Sequence, residues 1–217
     1  MTSLQQYWDE AHVDYSQKDW IDKPSLFWEQ IIDTLPANGR VLDLAAGQGQ
    51  DARAFAKRGY AVVATDFSEH ALELAREKAL AEGLAIEIQP SDLMHPLPFE
   101  DEAFDVVYSH LGLHYFCKDD TLRLLREIHR VLKPGGVFAT LLNTVVDPQL
   151  QEYGFEEVEP HYFRHLETGV CKSYFSVEYM TELTHNLFTP TLLDANGVSH
   201  KDEHQSLIRF VGRKIGE

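Results

Sequence analysis

Gly47 and Gly49 close the apolar run Val41-Leu42-Asp43-Leu44-Ala45-Ala46, and Asp66 follows seventeen residues after Gly49 at the end of a second apolar run. Glycine in such a turn lets a ligand approach backbone that a side chain would block. An acidic residue ending the neighbouring strand can accept hydrogen bonds from both hydroxyls of a ribose. The pattern points to a nucleoside-containing cofactor, although short glycine pairs also occur in ordinary tight turns. Asp43 is a charge inside an otherwise apolar strand, costly unless paired, and an ammonium group on the cofactor would pair it. Asp51 falls in the first turn of the next helix, where its carboxylate competes with a phosphate for the free N–H groups and the positive end of the dipole. That weakens the dinucleotide reading, which Gly47-x-Gly49-x-x-Ala52 and Asp66, nineteen residues past Gly47, otherwise satisfy. The plainer explanation of Asp51 is a favourable acid at a helix start.

A second group of candidates lies in Ser109-His110-Leu111-Gly112-Leu113-His114-Tyr115-Phe116. Imidazole titrates in the range needed to take a proton from a hydroxyl, thiol or amine, which makes His110 and His114 candidate catalytic residues. For each, a hydrogen bond to a buried loop carbonyl is the alternative. Histidines four apart recur as His110/His114, His161/His165 and His200/His204 in a chain with eleven histidines. None lies in a clear helix with a third ligand at a recognised spacing, and no metal is expected.

From about Val41 onward, strand-like and helix-like segments alternate, which predicts an α/β fold with a parallel sheet. Strands are expected at Val41–Ala45, Ala61–Asp66, Ala85–Gln89, Phe104–Ser109 and Val137–Leu142. The intervening helices run from about Gln50 to Arg58, from the cap Ser68 to Gly83, and from about Asp120 to Leu132 with Leu122, Leu125, Ile128 and Leu132 facing the core. Lys133-Pro134-Gly135-Gly136 reads as a turn. Residues 144–175 lack a helical period and read as an inserted segment with a hairpin turning near Glu167-Thr168-Gly169. Its Tyr153, Phe155, His161, Tyr162, Phe163, His165, Tyr174 and Phe175 form a natural roof for an acceptor pocket, or else a satellite cluster over the sheet. Ser176 caps a helix to about Asn186, and strands at Thr189–Asp194 and Leu207–Arg213, joined through an Asn196-Gly197 turn, close the sheet. Residues 1–37 read as two short helices whose aromatics, including Tyr7, Trp8, Tyr15, Trp20, Phe27 and Trp28, pack on the sheet or cover the cofactor.

A chain of 217 residues, 44% hydrophobic, suits one sizeable core and a single domain. A formal net charge of -16 repels a polyanionic backbone and makes nucleic acid a poor partner. Cys117 and Cys171 have no CxxC spacing, which suits a reducing compartment, and either could be a buried apolar residue. With no apolar leader in residues 1–30 and no bilayer-long apolar stretch, a soluble, cytoplasmic protein without a membrane partner is expected.

These motifs resemble the class I S-adenosylmethionine-dependent methyltransferases, in particular their small-molecule branch, over roughly residues 38–143. Asp43, Gly47 and Gly49 match the acidic residue and glycine turn after the first strand, and Ala45 replaces the first glycine. Asp66 corresponds to the ribose-binding acid, followed by Phe67. Asp92 in Ser91-Asp92-Leu93 matches the position that hydrogen-bonds the adenine amino group, with the Leu93 backbone close by. Pro96 to Ser109 is similar to the entry into the fourth strand, and Leu132-Lys133-Pro134-Gly135-Gly136 to the turn before the fifth. The resemblance implies a Rossmann-like, seven-stranded, mostly parallel sheet with helices on both faces. It implies S-adenosyl-L-methionine held by Asp43, Ala45, Gly47, Gly49, Asp66, Phe67, Asp92, Leu93 and Ser109, and methyl transfer to a small-molecule acceptor through an O, N, S or C nucleophile. The Asn/Asp-Pro-Pro-Tyr signature of adenine-modifying relatives is missing after the fourth strand. A nicotinamide-dependent oxidoreductase and a non-catalytic S-adenosylmethionine-binding module are the alternatives.

Overall fold

The structure, a computed structural model, describes residues 4–148, 150, 154–200 and 205–216; Tyr153, His204 and the side chain of Tyr7 lie outside the described residues. In chain order the elements are α1 (Leu4–Tyr15), α2 (Leu26–Ile31), a 3-10 turn (Ile32–Thr34), β1 (Arg40–Leu44), α3 (Gln50–Lys57), β2 (Ala61–Asp66), α4 (Glu69–Ala81), β3 (Ile86–Pro90), β4 (Phe104–His110), α5 (Lys118–Val131) and β5 (Leu132–Leu142). There follow β6 (Phe155–Glu159), β7 (Tyr162–His165), β8 (Cys171–Ser173), α6 (Val177–Thr184), β9 (Phe188–Val198) and β10 (Gln205–Lys214). The main sheet has seven strands in the order β3-β2-β1-β4-β5-β10-β9. Its first five strands run parallel, and β10 is antiparallel to both β5 and β9. The expected α/β, mostly parallel, seven-stranded architecture is the one observed.

Alternation along the strands divides the core between the two faces. Leu42, Leu44, Val107, Phe138 and Phe210 pack under α5 and α6, which contribute Leu124, Ile128, Met180 and Leu183. Val41, Val62, Val106, Tyr108 and Val211 face the other way, against Phe27 and Trp28 of α2 and Phe55 of α3. Asp43, two residues from Val41, shares that second face and lies across from Tyr108 in the β1–β4 ladder.

Local chemistry sets most boundaries. Gly49 caps α3 at φ 72, a left-handed geometry glycine adopts without strain. The Ser68 hydroxyl caps α4 by accepting the Ala71 N–H at 3.1 Å. The Ser176 hydroxyl accepts the Tyr179 N–H at 3.1 Å, though α6 stops at Thr184, short of Asn186.

Three expectations need correcting. Helix α5 starts at Lys118, and its buried residues are Thr121, Leu124, Leu125, Ile128 and Val131; Leu122 is only half-buried and Leu132 opens β5. Lys133-Pro134-Gly135-Gly136 lies inside β5 as a bulge: Phe104 pairs with Leu132 and Val106 with Val137. Asn196-Gly197 lies within β9, because β10 continues to pair past it, with Leu207 opposite Gly197. A Cβ at Gly197 would sit 2.6 Å from Leu141 Cδ1 and 2.7 Å from the Leu207 carbonyl, so this glycine serves close packing. The segment after β5 is a three-stranded sheet, β6-β7-β8, whose β7–β8 connection is the expected turn at Glu167–Gly169.

The N-terminal segment is fastened over the carboxyl ends of the strands. The Gln48 side-chain amide donates to the His12 carbonyl (2.9 Å) and to Ser16 Oγ (3.0 Å). Asp22 accepts from Arg53 (3.2 Å) and Lys78 (2.7 Å). Arg53 is 2% exposed and also donates to the Gln48 carbonyl, which joins the anchor to the glycine turn itself.

Phe138 is fully buried, with ring centroids 5.3 Å from Phe188 and 5.6 Å from Phe210. Phe138→Ala should lower unfolding free energy by about 3–5 kcal/mol through lost burial and a residual cavity, read as a reduced urea midpoint with unchanged slope.

Candidate active site

Parallel strands end together, and the loops leaving β1, β2 and β4 meet on one side of the sheet, where ligands of open α/β sheets bind. With the loop after β3 they enclose one wall of a cavity of about 260 Å³; the opposite wall comes from α1, the segment after it, the chain following β5, β8 and the residues after β9.

The first wall begins with a strained turn. Ala45 has φ 55 and Gly47 φ 53, both left-handed. In Ala45 this costs roughly 1–2 kcal/mol, and it persists because the surroundings hold it: the Ala46 N–H donates to the Thr65 carbonyl and the Gly49 N–H to the Ala46 carbonyl, each at 2.9 Å. A Cβ on Gly47 would lie 3.0 Å from His12 Cε1, so the glycine admits α1 as well as opening the cavity. Leu111, at φ 56, is strained likewise in the loop after β4. The two loops touch at Gly112, where an added Cβ would stand 2.4 Å from Ala45 Cβ. Gly112 thus supplies the space that alanine, in place of glycine, takes at position 45. Its single position in an unremarkable loop carries no sequence signal of this role.

Asp66, at the end of β2, is 6% exposed and lines the cavity. Its Oδ2 accepts the Gly47 N–H at 2.9 Å and its Oδ1 the Ser68 N–H at 3.0 Å, so one carboxylate orients the glycine turn and the start of α4. Each oxygen keeps a second lone pair for a ligand hydroxyl. Ala45, Gly47, Phe67, Asp92 and Leu93 line the same cavity. Asp92 is exposed at its rim, with Oδ1 accepting the Met94 N–H at 2.9 Å.

Three of the cofactor-site candidates stand behind this wall. Gly49 is not a lining residue; its position caps α3, and a Cβ there would lie 3.2 Å from Ala75 Cβ. Ser109 is fully buried with its hydroxyl on the Leu44 carbonyl at 2.9 Å. Asp43, 2% exposed, points toward α3: the Ala52 N–H donates to it and its Oδ2 has no hydrogen-bond partner. Burial above all, then the nearby charges of Asp51 and Asp66, pushes its carboxyl well above the ordinary carboxylate range.

Asp51 proves to be more than a helix-start acid. It is 3% exposed; Oδ1 accepts the Ser25 N–H and Oδ2 the Tyr108 hydroxyl, both at 2.7 Å, and Ser25 Oγ lies 3.0 Å from the Tyr108 oxygen. The buried Tyr108 phenol is held well above its usual range by burial and by Asp51. α2, α3 and β4 are therefore joined beneath the glycine turn.

Both histidine candidates line the cavity; His114 is 3% exposed and its ring centroid lies 4.4 Å from that of Tyr115. The other wall holds residues the motifs did not single out as site residues, among them His12, Asn143, Asp147, Lys172 and His200. Of the aromatic roof expected from residues 144–175, Tyr174 lines the cavity, whereas His161 stacks on Tyr179 (4.1 Å) and Phe155 packs edge-on against His165 (4.9 Å). Cys117 and Cys171 are half-buried free thiols. Among the described residues no helix is long and apolar enough to cross a membrane, and no group of three His, Cys, Asp or Glu side chains is gathered as a metal would require.

The fold and this cavity define an α/β domain in which a glycine turn and a strand-end acid line one wall. Residues 42–140 match the family described as methyltransferase domain. A demethylmenaquinone methyltransferase of Clavibacter sepedonicus is 44% identical over 100 residues, 46% of this chain and 39% of the relative. One of Thermus thermophilus is 41% identical over 104 residues, 47% of this chain and 46% of the relative. The chain thus aligns with less than half the length of these two curated relatives. A solved structure described as an S-adenosylmethionine-dependent methyltransferase of Methanosarcina mazei superposes with a TM-score of 0.75 at 21% identity, covering 87% of this chain and 98% of that one. Over residues 42–140 the chain is therefore similar to methyltransferase domains, and its fold is shared with the Methanosarcina mazei structure.

The residues present fit S-adenosyl-L-methionine, the donor that the motif resemblance implies. Gly47 leaves backbone open at the cavity wall, and Asp66 retains acceptor capacity on both carboxylate oxygens.

Two outcomes follow. Gly112→Ala should lower stability by about 1–3 kcal/mol and weaken S-adenosylhomocysteine binding, measured by thermal melting and calorimetry, because neither Ala45 nor Ser109 is a flexible neighbour. Asp43 binds its proton more tightly folded than unfolded, so it favours folding at low pH and loses that contribution as pH rises above its unfolded value. Asp43→Asn should therefore raise the melting temperature at pH 7–8, with the gain vanishing near pH 4.

Proposed function

We propose that this chain transfers the methyl group of S-adenosyl-L-methionine to a small-molecule acceptor by in-line displacement, in the cytoplasm. The observation that carries the reading is the Asp66 carboxylate, which faces the cavity while it orients the Gly47 turn. When bound, the sulfonium supplies an activated methyl group: the S–CH₃ bond breaks with its electron pair left on sulfur as the acceptor's lone pair forms the new bond. The chain's own residues then have the tasks of alignment and exclusion of water. Asp66 holds the ribose, Gly47 and Ala45 let the donor lie against backbone, and Asp92 with the Leu93 backbone takes the adenine edge at the rim. Asp51 supports the turn from behind through Ser25 and Tyr108. His110, at the end of β4, and His114, on the loop after it, are the candidates to accept the proton that a hydroxyl, thiol or amine acceptor releases.

A small acceptor is supported by the size of the cavity and by the net charge of -16, which disfavours nucleic acid. Demethylmenaquinone, named for several curated relatives, belongs to that size class of acceptor head group and is a rational first compound to test.

Calorimetry with S-adenosylmethionine, S-adenosylhomocysteine and NAD(H) tests the donor. The first two should bind, NAD(H) should not, and Asp66→Ala should weaken them about tenfold or more through loss of charge-assisted hydrogen bonds to the ribose. Binding of NAD(H) alone, or undiminished binding in the variant, would overturn the assignment.

A further inference from the structure

The cavity is small for what methyl transfer asks of it. Its volume is about 260 Å³. A pocket for one drug-sized ligand measures roughly 300–1,000 Å³, and the reaction brings a donor and an acceptor together. One of its walls has to move.

The walls differ in how they are held. The strand-end loops grow out of the sheet, and the neighbouring helices α2 and α5 give the two cores Phe27, Trp28, Leu124, Leu125 and Ile128. Helix α1, among its described residues, gives neither core a side chain. Its Trp8, His12 and Tyr15 recur at helical spacing and line the cavity, while Val13, turned away from that face, is 55% exposed. An element with so little apolar surface in the core opens at low cost, separately from the rest of the fold.

Polar contacts latch α1, and they lead to the donor side. The Ser68 hydroxyl donates to Asp9 Oδ1 at 2.5 Å, a charge-assisted contact, and the Gln48 amide donates to the His12 carbonyl at 2.9 Å and to Ser16 Oγ at 3.0 Å. His12 also rests on Gly47, where an added Cβ would come within 3.0 Å of its Cε1. The Asp66 carboxylate accepts the N–H of both Gly47 and Ser68, so a single acid sets both seats of the helix. On the far side Trp8 meets Tyr115 edge-on at 5.2 Å, which closes α1 onto the loop after β4. Beyond the helix, Asp22 is held by the buried Arg53 and by Lys78, and these contacts keep that end of the segment in place when α1 leaves its seats.

We infer that α1 is a lid: it swings away to admit ligands, with Asp22 as its fixed end, and closes over the filled cavity through Asp9–Ser68 and Gln48–His12. The inference rests on the donor reading above, because a donor bound to Asp66 lies beneath both latches.

Hydrogen exchange of the full chain, alone and saturated with S-adenosylhomocysteine, tests the lid without any variant. In the free chain the amides of residues 8–15 should exchange about tenfold or more faster than those of the core helix α5, and the bound ligand should slow them about tenfold. Asp9→Ala, at a side chain outside the cavity lining, then separates a lid from a fixed wall. With one charged hydrogen bond lost, α1 exchange should rise about fivefold or more, and stopped-flow mixing should show association and dissociation of S-adenosylhomocysteine both rising by a similar factor while affinity stays within about twofold. A rise in dissociation alone would mark a fixed wall that had lost a contact. That result, α1 amides as slow as those of α5, no protection by the bound ligand, or ligand rates unchanged in Asp9→Ala would overturn the lid and leave donor binding intact. Failure of S-adenosylhomocysteine itself to bind would overturn the donor reading and the lid with it.

Discussion

The Asp51 carboxylate, buried and shared between the Ser25 backbone and the Tyr108 hydroxyl, is the contact on which the working end of this molecule depends. A charge taken out of water needs strong donors or it drives its own protonation. Satisfying this one draws three separate pieces of chain to one point: the cap of α2, the first turn of α3 and the middle of β4. The glycine turn sits directly above that point, so its position relative to β4 is set by a polar contact with fixed geometry as well as by packing. Asp43 lies on the same face, opposite Tyr108 in the ladder, and has less satisfaction than its neighbour. The chain concentrates its electrostatic cost beneath the site.

The fold was legible in the sequence where local chemistry decides the outcome. Strand β2 begins and ends where the apolar run Ala61–Asp66 does, and α4 follows from Ser68, Gly83 and the spacing of Ala71, Leu72, Ala75 and Ala79. Legibility failed where pairing overrides local preference. Asn196-Gly197 has the composition of a hairpin turn, but β10 continues alongside it, and the glycine is needed because Leu141 and the Leu207 carbonyl leave no room for a side chain. Lys133-Pro134-Gly135-Gly136 likewise became a bulge inside a strand because β4 pairs on both sides of it.

The site was legible to a similar depth. Gly47, Asp66 and Asp92 announce themselves through motif spacing, and the structure brings them to one cavity. Gly49, Asp43 and Ser109 belong to the same motifs but face helices and strands behind it, a distinction that spacing does not carry. The far wall left no motif because it is assembled from α1, the chain after β5, and β8, segments that meet only in three dimensions. Aromatic side chains in an N-terminal helix have the same sequence pattern whether they cover a core or a ligand.

The contact between Ala45 and Gly112 has a consequence for how this chain can vary. The loops after β1 and β4 approach so closely that there is room for one methyl group between them, and here it belongs to position 45. Neither position is therefore an independent character. Glycine at 45 would remove the nearest obstacle to a side chain at 112 and leave Ser109 Oγ at 2.9 Å, whereas a side chain at 112 with alanine retained at 45 forces the loops apart. The two positions, sixty-seven residues apart, share one steric allowance.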